Sequence, residues 1–416
     1  MAETSGLPRI DAGIKPNPYP LFARKRAETP VYRALFGGSR SPVWMVTRYA
    51  DVVTVLKDPR FSNHSQRARR YTTTRARLLN RLFAPLLNNM LNRDQPDHTR
   101  LRGLVHQAFT PKRVEDLRKR VEALTHELAD RTSTRLQWDI VKDYAVPIPT
   151  TIIAEMLGVP AADRERFRKW SNALLMSTAT TFSGMAANLP RFMAFQRYLR
   201  DLIKARRRDS KDDLISALVA AEEAGDKLNE NELLAMMFLL LIAGYETTMG
   251  LIGNGTLALL EFPLQMEKLR SRPDLVAGAV EEFARYYSPV DFASFRFALE
   301  DVTLSETTIS KGETAVAVIS SANRDEAQFD NPEVLNIERE PNRHLGFGQG
   351  IHYCLGAPLA RLEAQVAFTT LIQRFEDIRL AVPRDHLKWR PSTLLRGLES
   401  LPVKTIATQR AMKTIA

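Results

Sequence analysis

Cysteine is nearly absent. The 416 residues contain one, Cys354. That excludes an internal disulfide and any iron–sulfur cluster held by four thiolates. It leaves an inert buried thiol or a lone thiolate ligand. Acidic residues are also in deficit: 48 Asp and Glu stand against 59 Lys and Arg, a net charge of +11. Such a field can attract nucleic acid, anionic lipid or an acidic protein. The basic runs at Arg67–Arg70, Arg118–Arg120 and Lys204–Arg208 lack interleaved stacking aromatics and read as solvated helix faces, so no nucleic-acid partner is expected. Long apolar runs are lacking too. Phe238–Ala243 is far short of the roughly 20 residues that span a bilayer, and it leads into Glu246. The start, Met1–Gly6, is polar and carries no apolar run of a signal peptide or anchor. The chain is expected to be cytoplasmic, without a membrane anchor, and a monomer. No linker, repeat or low-complexity stretch divides it, so one domain is expected over 1–416, with a polar lead of about 15 residues.

The periodicity predicts a mainly α fold with a minor β portion. A short strand is expected at Val43–Arg48 and a helix near Tyr49–Lys57, stopped by Asp58-Pro59. Helical patterning runs from about His98 to Ser133, broken near Pro111, and resumes up to about Tyr287. Asn229 followed by Glu232 has the capping-box pattern at the head of a long apolar helix. After Pro289 come short β segments such as Thr314–Ile319, and a last helix is expected at Ala357–Phe375.

The lone cysteine lies in Phe347-Gly348-Gln349-Gly350-Ile351-His352-Tyr353-Cys354-Leu355-Gly356, immediately before that last helix. Backbone N–H groups and the positive end of a helix dipole favour a thiolate there. Flanking glycines let backbone and a flat ligand approach closely. These are the needs of an axial thiolate on a haem iron. The bland alternative is an inert cysteine in a turn. The pattern F-G-x-G-x-H-x-C-x-G resembles the haem-binding loop of the cytochrome P-450 monooxygenases.

Further segments carry the same resemblance. Ala243-Gly244-Tyr245-Glu246-Thr247-Thr248 sits inside the long apolar helix, where burying an acid or an alcohol without a partner costs several kcal/mol. It resembles the family's central helix, which implies that Glu246 and Thr247 relay protons and that Gly244 lets the helix pass close over the cofactor. A solvent-facing Glu-Thr-Thr is the alternative, and the role of Tyr245 stays open. Glu282 and Arg285 share a helix face. As a bare pair they would be a surface bridge; the resemblance implies a structural network completed by Arg339. His98 and Arg102, four apart on one face, match positions that bind the haem propionates, as do Arg296 and His352. Phe347 and Gly348 belong to the cofactor loop.

The resemblance spans about residues 40 to 400. It implies the multihelical P-450 fold, with haem b (iron-protoporphyrin IX) between the central helix and the cysteine loop and Cys354 on the iron. It also implies insertion of one atom of O2 into an apolar small molecule. Electrons would come from an acidic ferredoxin and its reductase, received near Arg100, Lys112, Arg113 and Arg361. Family position places Leu240, Ala243, Val290, Phe292, Ala293, Leu394 and Leu395 around the substrate, with Met176, Met185 and Met193 in its roof. Three alternatives remain: a peroxide-driven enzyme, a haem protein that binds ligands without turnover, and a basic nucleic-acid binder. Glu246-Thr247 argues against the first two.

Overall fold

The structure is a computed structural model that describes residues 6–39, 41–64, 88–106, 109–167, 169–170, 182–223 and 229–407. It is mainly helical. The predicted strand and helix near residue 45 stand at Pro42–Val46 and Tyr49–Lys57. The helical stretch around residue 100 divides, as the proline implies, into Asp97–His106, Pro111–Asp116 and Arg118–Ser133. The basic run Arg67–Arg70 and Met176 lie outside the described residues.

The largest helix, Glu230–Glu261, forms the axis of the molecule. Its capping box is closed: the Asn229 side chain accepts from the Glu232 N–H, and the Glu232 carboxylate accepts from the Asn229 N–H. Among the described residues it is the one helix long and apolar enough to cross a membrane, yet most of it is buried inside the protein. Its far half packs against helix Val276–Tyr286 and helix Ala357–Arg374. Gly255 makes that approach possible. A Cβ there would fall 2.6 Å from the Phe368 ring and 2.8 Å from Phe283, rings that pack on each other at 4.7 Å. A π-helical turn at Ile140–Ala145 covers another side of the same axis.

A six-stranded sheet flanks the helices in the spatial order Arg9–Ile10, Val31–Phe36, Pro42–Val46, Thr314–Ala317, Arg296–Ala298, Phe61–Ser62. Its register pairs Tyr32 with Met45 and Met45 with Val316, and sets Arg296 opposite Ala315. Alternation then sends one side of the sheet to Ile10, Phe22, Phe36 and Phe292, and the other to Val31, Val52 and Ala317. Arg296 and the segment before it are thereby held at the sheet's inner end.

Candidate functional site

The cysteine loop is built around two glycines in the left-handed region, Gly348 at φ 70° and Gly350 at φ 74°, which other residues rarely adopt. A Cβ on Gly350 would also strike the Leu56 carbonyl at 2.9 Å. The turn closes when the Cys354 N–H donates to the Phe347 carbonyl at 2.9 Å. Helix Ala357–Arg374 starts three residues later, with proline in its first turn. Cys354 keeps accessible surface although protein surrounds it deeply, which marks an opening within the fold. Its thiol is surrounded deeply enough that burial pushes its pKa up, against the pull of the Gly356 and Ala357 N–H groups, Arg102 and Arg361.

Around this opening stands a set of donors with little to donate to. His98 is 2 % exposed, and neither of its ring nitrogens has a partner. Its ring meets that of His352 edge-on at 4.5 Å. Arg296 is equally buried and is bonded only to Ser294, at 2.6 Å to Oγ. Burial pushes its pKa down to about 10, with Asp94 pulling the other way. Burial, then Arg296, His98 and Arg102, press the His352 pKa down to about 3. Arg102 is itself lowered by burial, and Cys354 acts on it in the opposite sense. Orphaned buried donors are rare in folded proteins. The orphaned His98, with the under-used Arg296 and the half-buried Arg102 and His352 beside it, fits a ligand that brings two carboxylates, and a thiol beside them fits a metal within it. The residues present therefore suit a haem.

The central helix opens at the matching level. Ala243 is exposed, and Gly244, Glu246 and Thr247 are half-buried, whereas Tyr245 and Thr248 are buried. Gly244 has room beside it: a Cβ would meet nothing closer than Ile153 at 3.8 Å. The Thr247 hydroxyl donates to the Ala243 carbonyl one turn back, at 2.5 Å. Glu246 is not solvent-facing. Burial raises its pKa, while Arg390, 3.3 Å away, lowers it. Arg390 lies 144 residues further on, and no local pattern could have announced it.

Beneath the loop two neighbouring carboxylates serve two networks. Glu282 and Arg285 are fully buried and bidentate, at 2.7 and 2.8 Å. Arg339 adds its Nε at 3.1 Å. Arg285 also donates to the carbonyls of Asn323 and Pro332, and the Asn323 side chain accepts from the Leu345 N–H at 2.7 Å. The network thus reaches the root of the cysteine loop. The second network was not anticipated. Glu281 takes both Arg361 (2.7 and 2.8 Å) and His344 Nε2 (3.0 Å). Arg361 in turn lies over the Phe347 ring at 4.4 Å and donates to the Tyr353 hydroxyl at 3.1 Å. Burial alone would raise the Glu281 pKa; the arginine and histidine bonds outweigh it and hold it at about 2.

Other expected residues divide. Leu240 is buried, Val290 and Leu395 are half-buried and bridged to each other, Ala293 is half-buried, and Leu394 is exposed. Phe292 requires correction as a pocket residue. It is 1 % exposed and packs edge-on against Phe22 and Phe36 behind the sheet. Arg100 and Arg361 require correction as a free docking surface, because Arg100 pairs with Glu232 at 2.9 Å and Arg361 with Glu281. Lys112 is exposed, and Arg113 faces the exposed Asp212 at 3.7 Å. Met193 is exposed.

Comparison with known proteins gives a family. The model of the family described as Cytochrome P450 matches residues 21–385. The chain is 45 % identical over 389 residues to the polyketide biosynthesis cytochrome P450 PksS of Bacillus subtilis (strain 168), covering 93 % of this chain and 95 % of that one. The solved structure of PksS superposes with a TM-score of 0.87, covering 94 % and 97 %. The mycinamicin IV hydroxylase/epoxidase of Micromonospora griseorubida is 43 % identical over 362 residues, covering 86 % and 89 %. The tirandamycin C-bound P450 monooxygenase TamI is 40 % identical with a TM-score of 0.86, covering 95 % and 99 %.

Proposed function

The chain belongs to the cytochrome P450 family and is a monooxygenase of small molecules working with redox partners; from that premise we propose that Cys354 is the thiolate on the haem iron and that His98, Arg102, Arg296 and His352 hold the propionates. Bound there, haem b supplies the reduction of dioxygen and the transfer of one oxygen atom. The protein supplies the ligand, the anchors, the dry surroundings and the protons. Phe347 and Gly348 shape the thiolate's turn, and Gly244 would let the central helix pass close over a bound haem. Glu246 holds a proton at a carboxyl whose burial favours the neutral form, and Thr247 carries it onward by releasing the Ala243 carbonyl. Arg390 keeps that carboxyl in place. Glu282, Arg285 and Arg339 fix the loop that carries the cysteine.

The observation that carries this assignment is the buried, unpartnered His98, with Arg296, Arg102 and His352 gathered around it beside the chain's single thiol. Reduced protein under carbon monoxide is expected to show the strongly red-shifted Soret band of a thiolate-bound haem. Cys354→Ser is expected to lose it completely. Retention of the band in that variant would overturn the assignment, since no second cysteine can substitute.

The substrate class we propose is a large apolar natural product of the polyketide type, bounded by Leu240, Ala243, Val290, Ala293, Leu394 and Leu395. PksS, the mycinamicin enzyme and TamI support that direction. A panel of such compounds, with steroids and fatty acids as controls, tested for a shift of the Soret band, decides it. We further propose an acidic ferredoxin and its reductase as electron source, met at Lys112 and Arg113 and drawn by the basic excess. The chain would act in the cytoplasm as a single-domain monomer.

A further inference from the structure

A second deeply buried ionic cluster lies outside every residue assigned so far. Lys15 is 1 % exposed, and its Nζ donates to Asp291 Oδ2 at 2.5 Å and to the Thr393 carbonyl at 3.0 Å. Arg396, also 1 % exposed, donates from Nη1 to the Lys15 backbone carbonyl at 2.6 Å and stands 4.0 Å from the same Asp291 oxygen. Its guanidinium is stacked over Trp389 at 3.8 Å, with Tyr19 and Tyr287 further out. One residue of the amino-terminal segment is therefore clasped twice: its amine by the 291 and 393 segments, its carbonyl by the 396 side chain.

These two segments also carry the proposed substrate wall. Val290 bridges Leu395, the Asp291 and Phe292 N–H groups both reach the Leu394 carbonyl at 3.0 and 3.3 Å, and the Arg396 N–H reaches the Pro289 carbonyl at 2.8 Å. The 396 end is fixed to the central helix by Asn254, which donates to the Arg396 carbonyl at 3.1 Å. The chain beyond Arg396 turns back on the segment that presents Arg390 to Glu246: the Arg390 N–H bonds the Gly397 carbonyl at 2.9 Å and Trp389 bridges Leu398. Backbone bonds hold the two segments to each other. The 291 segment is also tied to the sheet by the Phe292–Val318 bridge and by the Ala293 N–H on the Ala317 carbonyl at 2.9 Å; Lys15 adds an ionic tie from the amino-terminal segment to both wall segments at once. An apolar residue could have filled the space at lower desolvation cost. A doubly clasped charge gives a defined position instead, because an ion pair in dry surroundings tolerates little displacement.

We propose that Lys15 is a specificity-determining positioning residue: through Asp291 and Thr393 it sets where Val290, Leu394 and Leu395 stand against a bound substrate. This rests on the pocket assignment of the previous section. The test uses the full-length, haem-loaded protein and two probes read by the Soret band. Imidazole needs only access to the iron, whereas 4-phenylimidazole must also fit against the wall. In Lys15→Met the carbon-monoxide band is expected to persist. The Kd for 4-phenylimidazole should rise on the order of ten-fold, a loss of about 1.4 kcal/mol of wall contact, and that for imidazole should stay within about two-fold. The double variant Lys15→Met/Asp291→Asn, which removes both charges of the pair while Arg396 keeps its bond to the backbone carbonyl of residue 15, should show the same selective loss even if the single variant folds poorly. Equal weakening of both probes, or wild-type affinities in the double variant while Leu395→Ala weakens 4-phenylimidazole, would overturn the proposal. If Leu395→Ala also leaves 4-phenylimidazole unmoved, the pocket assignment itself has failed and the role of Lys15 falls with it.

Discussion

Two buried polar regions lie on either side of the cysteine loop, and they are finished to different degrees. Below it, Glu282 accepts from two Arg285 nitrogens, Arg339 Nε, the Asn336 N–H and Asn342 Nδ2. Its lone pairs are saturated. Above it, His98 has two ring nitrogens with no partner at all, and Arg296 has only its neighbour two residues away. Both regions are buried and both are rich in arginine. The satisfied one stabilises a conformation by itself; the unsatisfied one costs free energy until something else arrives. Charge and burial do not separate architecture from a binding site here. Saturation of the central group does: Glu282 is fully bonded and His98 is bare, although Asn323 Nδ2 and Asn342 Oδ1 at the margin of the lower network also lack partners among the described residues.

Removing one member from each region tests the contrast. Glu282→Ala should be the more damaging, because it strands two arginines in the interior at a cost of about 3–5 kcal/mol; poor folding and low haem content are expected together. A haem-replete, thermally stable Glu282→Ala protein would reduce that network to ornament. His98→Ala should do the opposite. Haem would dissociate roughly ten to a hundred times faster, in line with one charge-assisted bond, with little loss of thermal stability in the haem-free form. Competition for the haem by apomyoglobin measures that rate, and an unchanged rate would remove His98 from the anchors.

Smaller effects refine the picture. Thr247→Ala should keep haem and ligand binding but lower the fraction of electrons that reach product on the order of ten-fold, with hydrogen peroxide rising in step. Unchanged coupling would return Thr247 to the role of a helix residue bonded to its own backbone. Glu281→Gln probes the second satisfied network. Its folded pKa of about 2 lies below the ordinary 4.5, so its stabilising contribution is present above pH 4.5 and is lost as pH falls toward 2. Allowing for partial exposure, that contribution is about 1–2 kcal/mol. Thermal melts of the variant should start lower at neutral pH and fall less steeply below pH 4.5; parallel curves would show that Glu281 does not titrate with folding.

What was legible in the sequence was local or motif-bound. The Asn229–Glu232 cap, the break at Pro111 and the Glu282–Arg285 spacing each depend on neighbours within four residues, and each stands in the structure. The residues missed depend on distant partners. Nothing near Arg390 points to Glu246, and nothing near Lys15 points 276 residues ahead to Asp291. Arg100 and Arg361 looked like free surface charge because a pairing with Glu232 or Glu281 is invisible until helices pack. Phe292 was misplaced for a related reason. Which side of a short extended segment faces inward is set by its partners, here Phe22 and Phe36.

The single cysteine has a practical consequence as well. Any thiol-directed reagent added to this protein has one possible address, Cys354, which keeps accessible surface. Because burial raises its pKa, little of it is thiolate at neutral pH, and alkylation there is slow and steeply dependent on pH. Mass added by such a reagent therefore counts the molecules in a preparation whose sulfur is uncommitted, a measure of occupancy that needs no absorbance and no turnover.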